Sequence, residues 1–260
     1  MISLLLAANY SLYAQRTVTS TPYLQDSAGY NINSVHPIHK SDVMHLMTVW
    51  RRIDLREKGN TAFFATGNEI TGHIMNSVNE GVVIPYTNDS LTKPMAISEF
   101  KKKAAPEIQV PQFDDEGNIV GYVTKNDPLL PSQIYTMEIR EDVVFDKERS
   151  RVYYDIQSVE LKFMDPKTNL FESLGCFRFK DLAKYFDKNT AAKWFNPQNR
   201  GADLKLQDAF DLRLFHSRIL KVANPADDDI EAMYSGKNPL WASEWEEMKL
   251  VERENGYWEY

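Results

Sequence analysis

The sequence predicts an α+β protein: an antiparallel meander flanked by helices, preceded by an extended N-terminal arm. Three observations predict it. From Ile134 to Phe179 apolar residues alternate with polar ones between short turns. In residues 41–60, and again after residue 180, apolar residues fall at helical spacing. Residues 15–38 are rich in Ser, Thr, Asn and Tyr and show no period.

Length and composition set the bounds. With 260 residues the chain is long enough for one large domain, and a chain of this size buries roughly 70–75% of its unfolded surface without metal or disulfide staples. We take 39–260 as a single α+β domain with a candidate subdomain seam at 104–131. Hydrophobic content of 43% and charged content of 26% are those of an ordinary globular protein. A net charge of −7 argues against nucleic acid as the main partner. A single cysteine, Cys176, excludes an intramolecular disulfide and a multi-thiolate zinc site; between the apolar residues of SLGCFRF it reads as a buried, inert thiol.

The elements follow in order. Residues 1–14 read as a signal peptide, with an apolar run from Ile2 to Ala8 and Leu12-Tyr13-Ala14 before the cleavage point. The basic opening of such peptides is missing, as expected if the true start codon lies upstream. No cysteine stands at the cleavage point, so the chain is not itself a lipoprotein, and no later run approaches the ~20 apolar residues of a membrane span. Residues 15–38 form the flexible arm. Ser41 to Asn60 reads as one helix, capped by Ser41 and closed by Gly59, with Val43, Leu46, Met47, Trp50 and Ile53 as its apolar stripe. On its charged side Arg52, Asp54, Arg56 and Lys58 are candidates for a partner interface, because guanidinium groups suit forked bonds to carboxylates.

Next, TAFFA reads as a strand, and Ile70, Ile74 and Val78 as a short helix ending at Gly81. VVIPY reads as a strand kept to a sheet edge by Pro85, and Ser98 as the cap of a helix reaching Lys103. Prolines at 106, 111, 128 and 131 mark an excursion, in which DDEGN before IVGYV reads as a hairpin turn. In the meander, Val152, Tyr154 and Ile156 are out of phase with Val159, Leu161 and Phe163, which places a β-bulge near Gln157 and Ser158. Leu170 to Phe179 makes a further strand. Leu182, Tyr185 and Phe186 mark a helix, Leu206 to Val222 a longer one, and Asn238-Pro239 starts a third with Trp241, Trp245, Met248 and Val251 along one face. Aromatic residues at helical spacing default to core packing.

The residues single out no chemistry. There is no phosphate-cradling glycine loop, GxSxG elbow or HExxH. His36, His39 and His45 lack a fourth ligand and a recognised zinc spacing, and Asp114–Glu116 lacks the spacing of a calcium loop. Asp227, Asp228 and Asp229 read as the cap and charge of a helix N-terminus. We therefore assign no catalytic, cofactor or metal residue.

Four segments stand out: VWRRIDLREKGN, IREDVVFDKERS, the run from Phe179 to Phe215, and VANPADDDIEAMYSGKNPLWASEWEEMKLVERENGYWEY. They resemble the GldN/PorN family, periplasmic components of type IX secretion and gliding-motility machines. Together they span most of the mature chain; HLMT and FFATGNE depart from the family's pattern. The resemblance implies a non-enzymatic structural subunit in the periplasm, without cofactors. Its implied partners are a GldK/PorK-type outer-membrane lipoprotein, with which it builds a ring by self-association, and a GldM/PorM-type periplasmic domain. The alternative is a secreted or periplasmic hydrolase of the carbohydrate-active kind.

Overall fold

The alternating stretch folds as a meander, and the sheet extends beyond it on both sides. The computed structural model describes residues 25–113, 119–165 and 168–257. In chain order the strands are β1 (Val43–Asp54), β2 (Phe64–Ala65), β3 (Asn68–Glu69), β4 (Pro85–Tyr86), β5 (Glu107–Phe113), β6 (Ile119–Asn126), β7 (Thr136–Asp146), β8 (Arg151–Met164), β9 (Phe171–Arg178), β10 (Lys193–Trp194), β11 (Leu204–Lys205) and β12 (Arg218–Val222). The helices are α1 (Ile70–Asn79), α2 (Ile97–Ala104), α3 (Phe179–Lys188), α4 (Leu206–Asp211), α5 (Ile230–Met233) and α6 (Pro239–Gly256). Six strands make the main antiparallel sheet, in the order β12-β1-β7-β8-β9-β4. β5 and β6 pair as a separate hairpin whose turn, 114–118, lies outside the described residues.

The largest correction concerns Ser41 to Asn60. It is not a helix: Val43–Asp54 is β1, paired to β7 on one side and β12 on the other. Its buried residues alternate, with Met47, Val49, Arg51 and Ile53 on one face. The strand period was hidden because one inward position is an arginine. Gly59 does not adopt a left-handed conformation, and Asp54 pairs with Arg56. Of the proposed stripe, only Met47 and Ile53 are buried; Leu46 is exposed.

That inward row lies beside Val143, Glu141, Ile139 and Met137 of β7. Near Ile53 it joins a cluster with Ile70 and Ile74 of α1, Leu182 and Phe186 of α3, and Phe210 of α4. Near Met47 it joins a second cluster with Ile219, Ile230 of α5, and Ala242 and Leu250 of α6. Each fully buried aliphatic side chain of this kind contributes about 1.5–3 kcal/mol. Arg51 and Glu141 sit where the two clusters meet.

Other elements differ by degree. TAFFA is mostly a 3-10 turn, Thr61–Phe63, running into β2. VVIPY shrinks to β4, which is an edge strand. The cap position of α2 is Ala96, not Ser98. The helix expected over Leu206 to Val222 stops at Asp211, where Arg213 turns the chain at φ 51°, and Arg218–Val222 is the edge strand β12. Asp229 does cap α5, accepting from Ala232 N–H at 2.8 Å.

The bulge lies where the phase slip puts it. Arg140 pairs with Ser158 and Glu141 with Ile156, leaving Gln157 over. The extra residue turns to the arm: Gln157 Oε1 accepts from Asn31 Nδ2 at 3.2 Å. The segment expected to be a signal peptide, 1–14, and arm residues 15–24 lie outside the described residues. Within the rest of the arm, Asn31, Asn33, Ser34 and Ile38 are buried. The turn that starts it needs a glycine: Gly29 has φ +88°, and a Cβ there would meet His39 Nε2 at 2.9 Å.

At the other terminus, Tyr257 packs against His45 (ring centroids 4.9 Å apart) and Phe145 (5.1 Å). Deleting Tyr257 to Tyr260 is expected to destabilise the protein by about 1–2 kcal/mol, lowering Tm by several degrees. A melting temperature equal to that of the full chain would show that these ring contacts carry no stability.

Candidate functional site

Helix α6 begins at a strong signal. Asn238 Oδ1 accepts from Leu240 N–H at 2.9 Å, and Pro239 supplies the fixed φ of the first helical position. The face it lays on the sheet carries Ala242, Ser243, Glu246 and Leu250. Glu246 accepts from Tyr234 Oη and from Lys249 Nζ, the latter at 2.8 Å. Burial alone would raise its pKa, but these two bonds outweigh burial and hold it below the usual range. Further polar bonds tie the helix down: Glu247 takes both Nη groups of Arg51 (2.6 and 3.1 Å), Glu254 accepts from Tyr154 Oη, and Arg253 reaches Met47 Sδ at 2.9 Å.

The opposite face is uncovered. Trp241 is 70% exposed, Trp245 51%, Met248 56% and Val251 49%. This corrects the expectation that the tryptophans of this helix pack in the core. Single exposed apolar residues are ordinary, but a row of four on one helix is a contact surface in the making. Around Met248 and Val251 its rim is acidic, while Lys249 lies over Trp245, 5.9 Å from the ring centroid. Glu244, Glu247 and Glu252 enclose, with Met248 and Val251, an apolar depression of about 370 Å³.

A groove of about 330 Å³ runs up to the start of this row, lined by Arg52, Asp54, Phe171 and Arg218 on one side and by Pro239, Leu240 and Ser243 on the other. Two of the four residues chosen from sequence therefore line one wall. Arg52 forks onto Glu138 Oε1 (Nε 3.0 Å, Nη2 2.8 Å) and lies over the ring of Phe171, 5.5 Å from its centroid. Asp54 is bound by Arg56 Nη2 at 2.9 Å. Partial burial acts to raise the pKa of Asp54, but the bonds from Arg56 bring it below the usual range. Arg56 itself stacks on Tyr135, 3.5 Å from the ring centroid, and Lys58 stands exposed on the following turn. The structure thus joins Arg52 and Asp54 to α6 and leaves Arg56 and Lys58 to one side.

The three N-terminal histidines do not converge. His36 faces Asp211 at 3.8 Å, His39 contacts Ser41 Oγ at 2.6 Å, and His45 stacks on Tyr257. Burial raises the Cys176 pKa, which keeps it a thiol. Trp50 bonds to Asp89 Oδ2 at 2.7 Å on the outer face of the sheet, away from α6.

Residues 38–259 match the family model described as "Gliding motility associated protein GldN". No curated protein matches the chain. Among the described residues no helix is long and apolar enough to cross a membrane.

Proposed function

We propose that this chain, which belongs to the GldN family of gliding motility associated proteins, is a non-enzymatic structural subunit of a type IX secretion and gliding machine. In this reading it is exported by its signal peptide and works in the periplasm. There it forms a ring with a GldK/PorK-type outer-membrane lipoprotein and meets a GldM/PorM-type periplasmic domain. The observation that carries the reading is the uncovered apolar row of α6, on a helix whose inner polar groups are already engaged, Glu247 with Arg51 of β1 and Glu254 with Tyr154 of β8. A surface of this kind suits a protein that works by being bound.

The test mixes the purified chain with the soluble part of the lipoprotein and measures mass by light scattering. A stable complex is expected; two species that stay separate would overturn the reading. Arg52→Ala asks whether the groove takes part. A loss of lipoprotein affinity of about tenfold or more, at a melting temperature within a few degrees of the original, is expected if it does. Unchanged affinity would remove the groove from the interface.

A further inference from the structure

We infer that the exposed face of α6 is a seam for a single amphipathic α-helix with basic flanks, supplied by a partner protein. The inference rests on the subunit reading above and names the chemistry of what covers this face. Three observations carry it. First, the spacing: Trp241, Trp245 and Met248 are four and three residues apart, the alternation by which one helix packs along another. From Trp241 to Val251 the row extends about 15 Å at 1.5 Å per residue, enough for roughly three turns of a partner helix.

Second, the charge at its edges. Glu244 and Glu252 are exposed and engaged in no ion pair among the described residues, whereas Glu246 and Glu247 are committed to Lys249 and Arg51. Glu244 and Glu252, with Glu247, ring Met248 and Val251, so this part of the seam has an acidic rim that favours basic residues on the partner helix there. A Lys or Arg side chain there would also find the exposed indole of Trp241, which attracts cations; Trp245 already has Lys249 over it, 5.9 Å from the ring centroid. The whole chain, at −7, favours the same sign.

Third, the same charges oppose a parallel pairing of two copies, in which Glu244 and Glu252 would meet their counterparts along the seam; an antiparallel pair is the outcome that sedimentation separates. The backing of α6 is also already settled, since its inner face is anchored through Glu246, Glu247 and Glu254. Docking needs no rearrangement of the helix, and the partner helix has only to cover what is uncovered.

The test uses the full chain and two synthetic helices of about three heptads. They share a Leu/Ile seam and differ only at the flanks, which are Lys/Arg in one and Glu in the other. Calorimetric titration is expected to give at least tenfold tighter binding of the basic helix. Glu244→Lys with Glu252→Lys should reverse that preference. Met248→Glu should weaken both peptides at least tenfold without moving the melting temperature, because the side chain stands in water. Equal binding of the two helices, or no effect of either variant, would overturn the inference. So would sedimentation showing that the chain alone dimerises and that Met248→Glu abolishes the dimer. Complex formation with the lipoprotein is measured in parallel. Failure of the helix titration with that complex intact strikes only the chemistry of the seam, and absence of the complex strikes the subunit reading itself.

Discussion

Glu141→Ala is expected to destabilise the fold by about 3–5 kcal/mol, the range for removing one partner of a buried ion pair. Glu141 is fully buried and Arg51 is 3% exposed. One carboxylate oxygen takes Arg51 Nε at 2.5 Å and the other takes Arg213 Nη1 at 2.7 Å. The Nη groups of Arg51 go to Glu247 on α6, so one guanidinium joins β7 to α6 across the junction of the two apolar clusters. Without Glu141 the Arg51 guanidinium stays in the interior with only Glu247, whose side chain is 46% exposed. In a chain of this length the loss corresponds to a fall in Tm on the order of 10 °C. The compensated replacement, Arg51→Met with Glu141→Leu, removes both charges and keeps the volume. It should recover most of the loss, because Arg213 is partly exposed and can turn to water. Urea melts of the three proteins decide the matter. A single variant as stable as the double would mean that the pair, for all its burial, contributes nothing to the sheet–helix junction.

The same pair explains what could not be read from the sequence. In β1 the inward row is Met47, Val49, Arg51 and Ile53, and the charge at its centre breaks the alternation that would announce a strand. What remained was a coincidental helical spacing among Val43, Leu46, Trp50 and Ile53. The compensating carboxylates lie 90 and 196 residues away, so no local window could show that Arg51 belongs inside. By contrast, β7 to β9 were legible, down to the bulge at Gln157, because their inward rows are uninterrupted apart from Glu141. β12 was missed because DAFDLRLF keeps helical spacing past the point where Arg213 turns the chain. Helix α6 was legible in position and cap but not in orientation. Reading an apolar face as inward assumes that the core it seeks is in the same chain. Here Glu246 is inside and Trp241 is outside. Arg52 and Asp54 were read on a helix, and the strand that they in fact belong to brings them to the groove beside α6.

Asp155 should make stability depend on pH in a direction opposite to that of most carboxylates. It stands directly across from Asp142 on the neighbouring strand. Burial is the main cause that pushes its pKa up to about 7, and the charge of Asp142 adds to it. Ser34, Gln157 and Lys180 pull it back only in part. The folded value lies above the ordinary value of 3.8, so between these limits the unfolded chain loses its proton while the folded one keeps it. Stability is therefore fully present below pH ~4 and is lost as pH rises to about 7, by up to ~4 kcal/mol at 1.36 kcal/mol per unit. Asp142, raised mainly by its own burial, contributes with the same sign. His45 and His73 work the other way. Burial, with Arg253 adding in the case of His45, lowers both, so their contribution is present above pH ~6.5 and is lost as pH falls through their folded values. The wild-type profile is a sum of opposed slopes, and Asp155→Asn separates them. The amide cannot ionise, and its carbonyl still accepts from Gln157 Nε2, which lies 2.7 Å from the present carboxylate. Urea melts of both proteins at pH 4, 5.5, 7 and 8.5 should show the variant gaining on the parent by a few kcal/mol across that range, with most of the gain complete by pH 7. A difference between the two proteins that stays constant with pH would mean that Asp155 is ionised in the folded state throughout, and the assignment of a raised pKa would fall.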